Sequence, residues 1–240
     1  MKNAAEPCSL IIKRIHKEAR DIRAFDMMPE AADAQDTHDA RLSFVPGQVA
    51  MLKVAGEDPS YFAFASAPDD EELEFLIKRN AVGSGRLIYD MNEGERVELV
   101  GIVGHGFALD KHKGKDLVFV AMGTGVAPLR SALRHALKQP DDHFSQIVVL
   151  YGARTPDDFC YTDEVDAWKA AGVDIRQVIS KPDGYEWSGS TGYVQSLLDN
   201  VLPNLSNPIA LICGSRLMIE QTRDRLQEMG FAPEDILTNF

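Results

Sequence analysis

Short alternating runs of apolar and polar positions fill the first 110 residues, at 9–15, 44–54, 61–65, 73–78 and 96–100. Runs of this length, separated by turn-forming residues, predict a small antiparallel barrel or sandwich. Beyond residue 115 the texture changes. Apolar runs at 117–121, 147–151, 173–179 and 209–213 are each followed by a segment of helical period, at 126–137, 164–171, 193–201 and 217–229. Buried strand alternating with helix predicts an α/β, doubly wound parallel sheet. Residues 111–116 read KHKGKD, polar and turn-prone, so the chain divides into two domains, 1–110 and 111–240.

Length and charge narrow the function. A chain of 240 residues can build one large domain or two small ones. Its net charge of −12 disfavours a general grip on nucleic-acid phosphates or anionic membranes, and neither half is net basic. The N-terminus lacks the apolar core of a signal peptide, and no apolar stretch reaches the length of a membrane span, so a soluble cytoplasmic protein is expected. Cys8, Cys160 and Cys213 lie far apart, which fits a reducing compartment and leaves no disulfide framework, zinc site or iron–sulfur cluster. The six histidines show no metal-ligand spacing, so no metal is expected. The acidic stretch 26–40, with Asp26, Glu30, Asp33, Asp36 and Asp39 and no Lys or Arg, reads as a solvated loop.

The sharpest motif is VFVAMGTGVAPLRSAL at 118–133. An apolar strand runs into Gly123, Thr124 and Gly125, and a helix is expected to start at Pro128, whose fixed φ suits a first turn. Two glycines let a pyrophosphate approach the helix N-terminus, where unpaired N–H groups favour anions. The motif is not G-x-G-x-x-G, because Pro128 stands in place of the third glycine, and no Walker lysine follows. The plainer reading is a tight strand-to-helix turn.

Residues 123–130, GTGVAPLR, resemble the nicotinamide-nucleotide loop of the ferredoxin–NADP reductase superfamily. Three further blocks occur in that superfamily's order: YGARTPDDFCYTDE at 151–164, CGSRLM at 213–218 and the ending ILTNF at 236–240. In the first half, FVPGQ at 44–48 resembles the entry strand of its FAD barrel, and GIVGHGF at 101–107 resembles the turn leaving it, with Ile102 replacing a proline. WSGSTGYV at 187–194 and the ending Asn239-Phe240 make the likeness closest to plant fruit-protein-like and bacterial FAD/NAD(P)-binding oxidoreductases.

One block departs. Where the superfamily carries R-x-Y-S for the flavin, this chain reads SYFA at 60–63, so the arginine, tyrosine and serine are all replaced. Phe62 still offers an aromatic face for stacking. Arg86, on the flavin-phosphate-like turn of Gly83, Ser84 and Gly85, is the candidate substitute for the missing cation.

The resemblance implies a reductase that takes a hydride from NADPH or NADH onto FAD and passes electrons to an acceptor that is a protein, a quinone or a small molecule. It places Phe62, Ala63, Phe64, Ser66, Ile77 and residues 83–86 at the flavin. Gly123, Thr124, Gly125, Ala127, Pro128, Gly152, Arg154, Ser180, Lys181, Cys213 and Gly214 fall at the nicotinamide nucleotide. Thr124 and Cys213 would flank the reacting ring, and Phe240 would cover the flavin. Plainer readings stand beside these: Cys213 as a small buried hydrophobe, Phe240 as terminal packing, Arg130 and Arg154 as salt-bridge partners. Ser180 and Lys181 point to the 2′-phosphate of NADPH, while Asp183 nearby keeps NADH open. The rival class is a nicotinamide-binding regulatory or electron-transfer subunit with weak or no flavin, active only beside a partner protein. Lys111, Lys113 and Lys115 form a local cationic patch that could steer an acidic partner.

Overall fold

A computed structural model describes residues 7–30, 42–140 and 143–239. Its first half forms a six-stranded antiparallel sheet from β1 (Cys8–Ala19), β2 (Ile22–Pro29), β3 (Val49–Lys53), β4 (Ser60–Ala63), β5 (Leu73–Lys78) and β6 (Arg96–Val103), in the order β4-β3-β6-β1-β2-β5. One short helix, α1 (Ser84–Tyr89), joins β5 to β6. Alternation along the strands turns Leu10, Ile12, Phe25, Met27, Leu52, Phe75 and Leu99 inward. The sheet curls until its two edges meet, where the Ala65 N–H donates to the Glu74 carbonyl at 2.8 Å.

The second half is the expected parallel sheet. Strands β7 (Asp116–Met122), β8 (Ile147–Ala153), β9 (Asp174–Ile179), β10 (Ser190–Thr191), β11 (Pro208–Cys213) and β12 (Ile236–Thr238) lie in the order β10-β9-β8-β7-β11-β12. Helices α2 (Val126–Leu137), α3 (Val165–Ala170), α4 (Leu198–Val201) and α5 (Arg216–Glu228) provide the connections. Strand order reverses at β7, between β8 and β11, and a ligand crevice is expected outside the carboxyl ends of the strands at such a switch point.

Several expectations are corrected. The acidic stretch is not all loop: Asp26 lies in β2, buried, and its carboxylate takes the Arg14 guanidinium at 2.6 Å across the β1–β2 ladder. Residues 31–40 of that stretch lie outside the described residues. The run 44–54 is a strand only from Val49, because Gly47 takes φ +90° and Gln48 Oε1 holds the Val45 N–H at 2.7 Å, which makes a turn of the first half. The helix expected from Pro128 starts at Val126, directly after a 3₁₀ turn over Gly123–Gly125. Pro128 is tolerated there because the first N–H groups of a helix have no intrahelical partner. The helix expected over 193–201 is reduced to a 3₁₀ turn, Val194–Leu197, and the four residues of α4.

The two halves are fastened by buried charge. Arg130 of α2 is 7% exposed; its Nη1 reaches the Ala65 carbonyl at 3.0 Å and Glu74 of β5 at 3.1 Å, while its Nε reaches Glu164 at 3.0 Å. Its guanidinium sits 4.3 Å over the Tyr161 ring, and the Tyr161 hydroxyl donates to Glu74 at 2.7 Å. The Tyr161 N–H donates to Glu18 of β1, with Tyr161 held at φ +59°, an unusual state for a bulky residue. Arg130 is thus spent between the domains and is no phosphate ligand. A second clasp joins Asp70 of the first half to Arg134 at 2.9 Å and Lys138 at 2.8 Å. Partial burial pushes the Asp70 carboxyl up, but these cations and the Ala67 N–H outweigh it and hold the group at about 2.

The two clasps predict different acid behaviour. Arg130→Met strands Glu74 and Glu164 and costs about 3–5 kcal/mol in denaturant unfolding at neutral pH. That deficit shrinks as pH falls, because burial already raises the Glu74 carboxyl above its ordinary range and protonation then removes the stranded charge. Asp70 acts with the opposite sign: its contribution is complete above the ordinary aspartate range and is lost as pH falls through about 2, so acid unfolding of Asp70→Asn is shallower there.

Candidate active site: the interdomain cleft

The carboxyl ends of β7, β8 and β9 open into a cleft of about 630 Å³, whose other wall comes from the barrel. Gly123, Gly152, Arg154, Ser180 and Lys181 line it from the second domain, and Asp21, Lys78, Arg79 and Asn80 line it from the first. Of the residues expected from sequence, the cleft therefore gathers these five, one from the glycine loop and four from the ends of β8 and β9.

The glycine loop is shaped by its neighbours as much as by any ligand. Gly123 takes φ +55°, and the Tyr151 hydroxyl donates to its carbonyl at 3.2 Å while receiving the Cys160 N–H at 3.0 Å. A Cβ on Gly125 would overlap the Cys213 carbonyl, so this glycine exists to let α2 sit against the end of β11. A Cβ on Gly214 would likewise overlap the Met218 side chain. Thr124 and Cys213 are half-buried in this corner, whereas Ala127 and Pro128 are buried in the body of α2 and present no side chain to the cleft. Burial pushes the Cys213 thiol up to about 12, so it is neutral at working pH.

At the far end, the Lys181 N–H donates to the Arg154 carbonyl at 2.8 Å, which sets the two residues side by side. Both are exposed, and neither has an ion pair among the described residues. Asp183 lines an adjoining depression with Tyr185, and that depression shares Arg154, Lys181 and Asp158 with this cleft. Sequence reasoning missed several members as site residues, and three of them bear on the chemistry. Tyr193, 73% exposed, and Leu217, 63% exposed, stand at the mouth as uncovered apolar surface. Lys78 crosses from the barrel, its Nζ 4.0 Å from where a Gly123 Cβ would lie. Tyr193 had a signal, since it falls inside the GYV motif; Lys78 had none, because only the docked domains bring β5 over the glycine loop.

The flavin side is divided. Phe62 and Ala63 are half-buried on β4, the strand that ends the sheet order and closes against β5. Phe64 and Ile77, however, are fully buried in the barrel core, Phe64 stacked on Phe44 with centroids 4.0 Å apart, so their side chains are not cofactor surface. Ser66 is buried and accepts the Glu74 N–H at 3.1 Å. At the phosphate-like turn, the Ser84 N–H and hydroxyl both go to the Asp58 carbonyl, at 3.1 and 2.7 Å. The Gly85 N–H goes to Ser60 Oγ at 2.8 Å, and Ser60, in the place of the arginine, donates onward to Val82 at 2.8 Å. A Cβ on Gly85 would lie 2.8 Å from Phe62 Cζ, so the Phe62 ring sits over this turn. The half-buried Phe62 and Ala63 fit the ring end of a flavin; the diphosphate end meets a turn whose Ser84 and Gly85 N–H groups are already paired. Arg86 is exposed with no partner among the described residues. Phe240 lies outside the described residues, but its neighbour Asn239 is buried and donates across the interface to the Gly47 carbonyl at 3.1 Å.

A barrel docked on a doubly wound domain, with a glycine-lined cleft between them, defines a two-domain nucleotide-dependent oxidoreductase class. Comparison with known proteins agrees. The family model for the oxidoreductase NAD-binding domain matches residues 119–224. Ferredoxin–NADP reductase B of Sorangium cellulosum is 32% identical over 179 residues, covering 70% of this chain and 72% of the relative. Sulfhydrogenase 2 subunit gamma of Pyrococcus furiosus is 28% identical over 204 residues, covering 80% of this chain and 69% of the relative. The fold matches a ferredoxin NADP+ reductase from Neisseria gonorrhoeae solved with FAD and NADP, with a TM-score of 0.80, 20% identity and 98% coverage of each chain. The chain belongs to the ferredoxin–NADP reductase superfamily of FAD- and NAD(P)-binding oxidoreductases.

Gly125→Ala tests the packing reading of the loop. Overlap with the Cys213 carbonyl must displace α2 or β11, which costs about 1–3 kcal/mol. The same shift moves Gly123, so nucleotide affinity, measured by calorimetric titration, falls by about tenfold or more.

Proposed function

We propose that this chain is an NADPH-dependent reductase that holds the nucleotide in the interdomain cleft and delivers its electrons through a flavin to a further acceptor. The observation that carries the reading is the cleft itself, glycine-walled at the switch point and cationic at its far end. The flavin, when bound, supplies two-electron acceptance and the option of releasing electrons singly. The chain's own residues do the positioning. Gly123 lets the nucleotide backbone approach β7, and Lys78 reaches over it from the barrel to meet the diphosphate charge. Cys213, neutral, and Thr124 form the corner against which the nicotinamide rests. Tyr193 offers an exposed ring on which the adenine stacks. Ser180, Lys181 and Arg154 supply a hydroxyl and two cations for a 2′-phosphate. Asp158 lines the same end and Asp183 the adjoining depression, so the preference for NADPH over NADH rests on the exposed Arg154 and Lys181, without an ion pair among the described residues, beside Ser180.

A second reading is supported by the likeness to a sulfhydrogenase gamma subunit: the chain as the nucleotide-handling subunit of a larger electron-transfer complex. Both readings use the same cleft. They differ in whether isolated chain turns over NADPH with a diffusible acceptor.

Lys181→Ala separates the two nucleotides. The expected result is a rise in KM for NADPH of about tenfold or more, with KM for NADH changed by no more than about twofold, since only NADPH carries the extra phosphate. Equal effects on both nucleotides would place Lys181 away from the 2′ position.

A further inference from the structure

We propose that this chain uses flavin as an exchangeable substrate, held by its ring end, and does not grip the adenosine-diphosphate half of FAD. The proposal rests on the reductase reading above and names the acceptor class for the same site: free flavins, with riboflavin and FMN serving as well as FAD. Three observations carry it. Ser60 replaces the arginine that would carry a charge-assisted bond to the flavin diphosphate, and its hydroxyl occupies the Gly85 N–H at 2.8 Å. The next donor of that turn, the Ser84 N–H, is taken by the Asp58 carbonyl at 3.1 Å. Phe62 sits over Gly85, its Cζ 2.8 Å from where a Cβ of that glycine would lie, so the ring crowds the turn.

A diphosphate held by these N–H groups would break these bonds against a crowding aromatic ring, and Arg86 is the one cation that the turn offers among the described residues. Arg86, one residue further on, is exposed and adds only a solvent-screened charge. Phe62 and Ala63, half-buried on β4, remain accessible to an isoalloxazine ring whichever group is attached beyond the ribityl chain. The reaction balances with flavin as substrate. The C4–H bond of NADPH breaks, its hydride goes to flavin N5, one proton comes from solvent, and NADP+ and reduced flavin both leave.

The test is a fluorescence titration of the full chain with riboflavin, FMN and FAD, paired with the same titrations of Ser60→Arg. We expect dissociation constants for the three flavins that agree within about tenfold, and a gain for FAD over riboflavin of at least about tenfold in Ser60→Arg, where an arginine returns and the Gly85 N–H is released. FAD binding more than about tenfold tighter than riboflavin in the unaltered chain would overturn this inference and leave the reductase reading standing. An unchanged flavin preference in Ser60→Arg would also overturn it, since Ser60 would not then be what excludes the diphosphate. No binding of any flavin would overturn both.

Discussion

The buried charge of Arg130 is the constraint on which the rest of the molecule depends. A guanidinium taken out of water is stable only if its surroundings return the lost hydration as hydrogen bonds and opposite charge. Here half of that return comes from the other domain, through Ala65 and Glu74, and the remainder from Glu164 and the face of Tyr161. The two domains therefore cannot part without leaving Glu74 without its cation on one side and stripping Arg130 of two of its partners on the other. Because Arg130 lies in the first half of α2, directly after the glycine loop, the same contacts that fasten the domains also fix where the loop stands against the barrel. Tyr161, tied to Glu18 and Glu74 at its two ends, accepts a left-handed backbone to complete the clasp.

Nucleotide chemistry depends on that fixed geometry. Hydride transfer needs donor and acceptor rings held face to face with little freedom. One wall of the cleft is the switch-point end of the parallel sheet and the other is the tip of β5, so a rigid junction is what sets their separation. The barrel motifs contribute to the same rigidity. Gly47 lies under the Phe107 ring, the Phe107 N–H donates to the Pro46 carbonyl at 2.6 Å, and Gln48 reaches the Gly104 carbonyl at 3.0 Å. The two sequence blocks that resemble flavin-domain signatures thus brace each other and the C-terminal Asn239.

Much of the fold was legible because local pattern and tertiary role agree. The strand at 73–78 and the helix at 126–137 have the bounds that periodicity alone predicts. β2 was hidden because its Asp26 reads as surface until Arg14 is seen opposite it, and a cross-strand pairing is not written in the order of residues. Gly125 shows the same limit at the site: the motif marks it correctly as important, but its neighbour is the backbone of β11, some ninety residues away in sequence. Ser60 is the reverse case. Its replacement of arginine is plain in the sequence, whereas the consequence, a closed set of hydrogen bonds at the phosphate-like turn, emerges only in the folded chain.

Every part of the proposed chemistry turns on whether the interdomain cleft delivers a nicotinamide hydride to a flavin. Rapid anaerobic mixing of the protein with flavin and NADPH, monitored at the oxidised-flavin absorbance band and repeated with NADPH deuterated at the transferred C4 position, tests it directly. Protein-dependent bleaching is expected, slowed by deuterium about twofold or more, as when the barrier to C–H cleavage limits the observed step. Flavin that stays oxidised in the presence of protein and NADPH would contradict it.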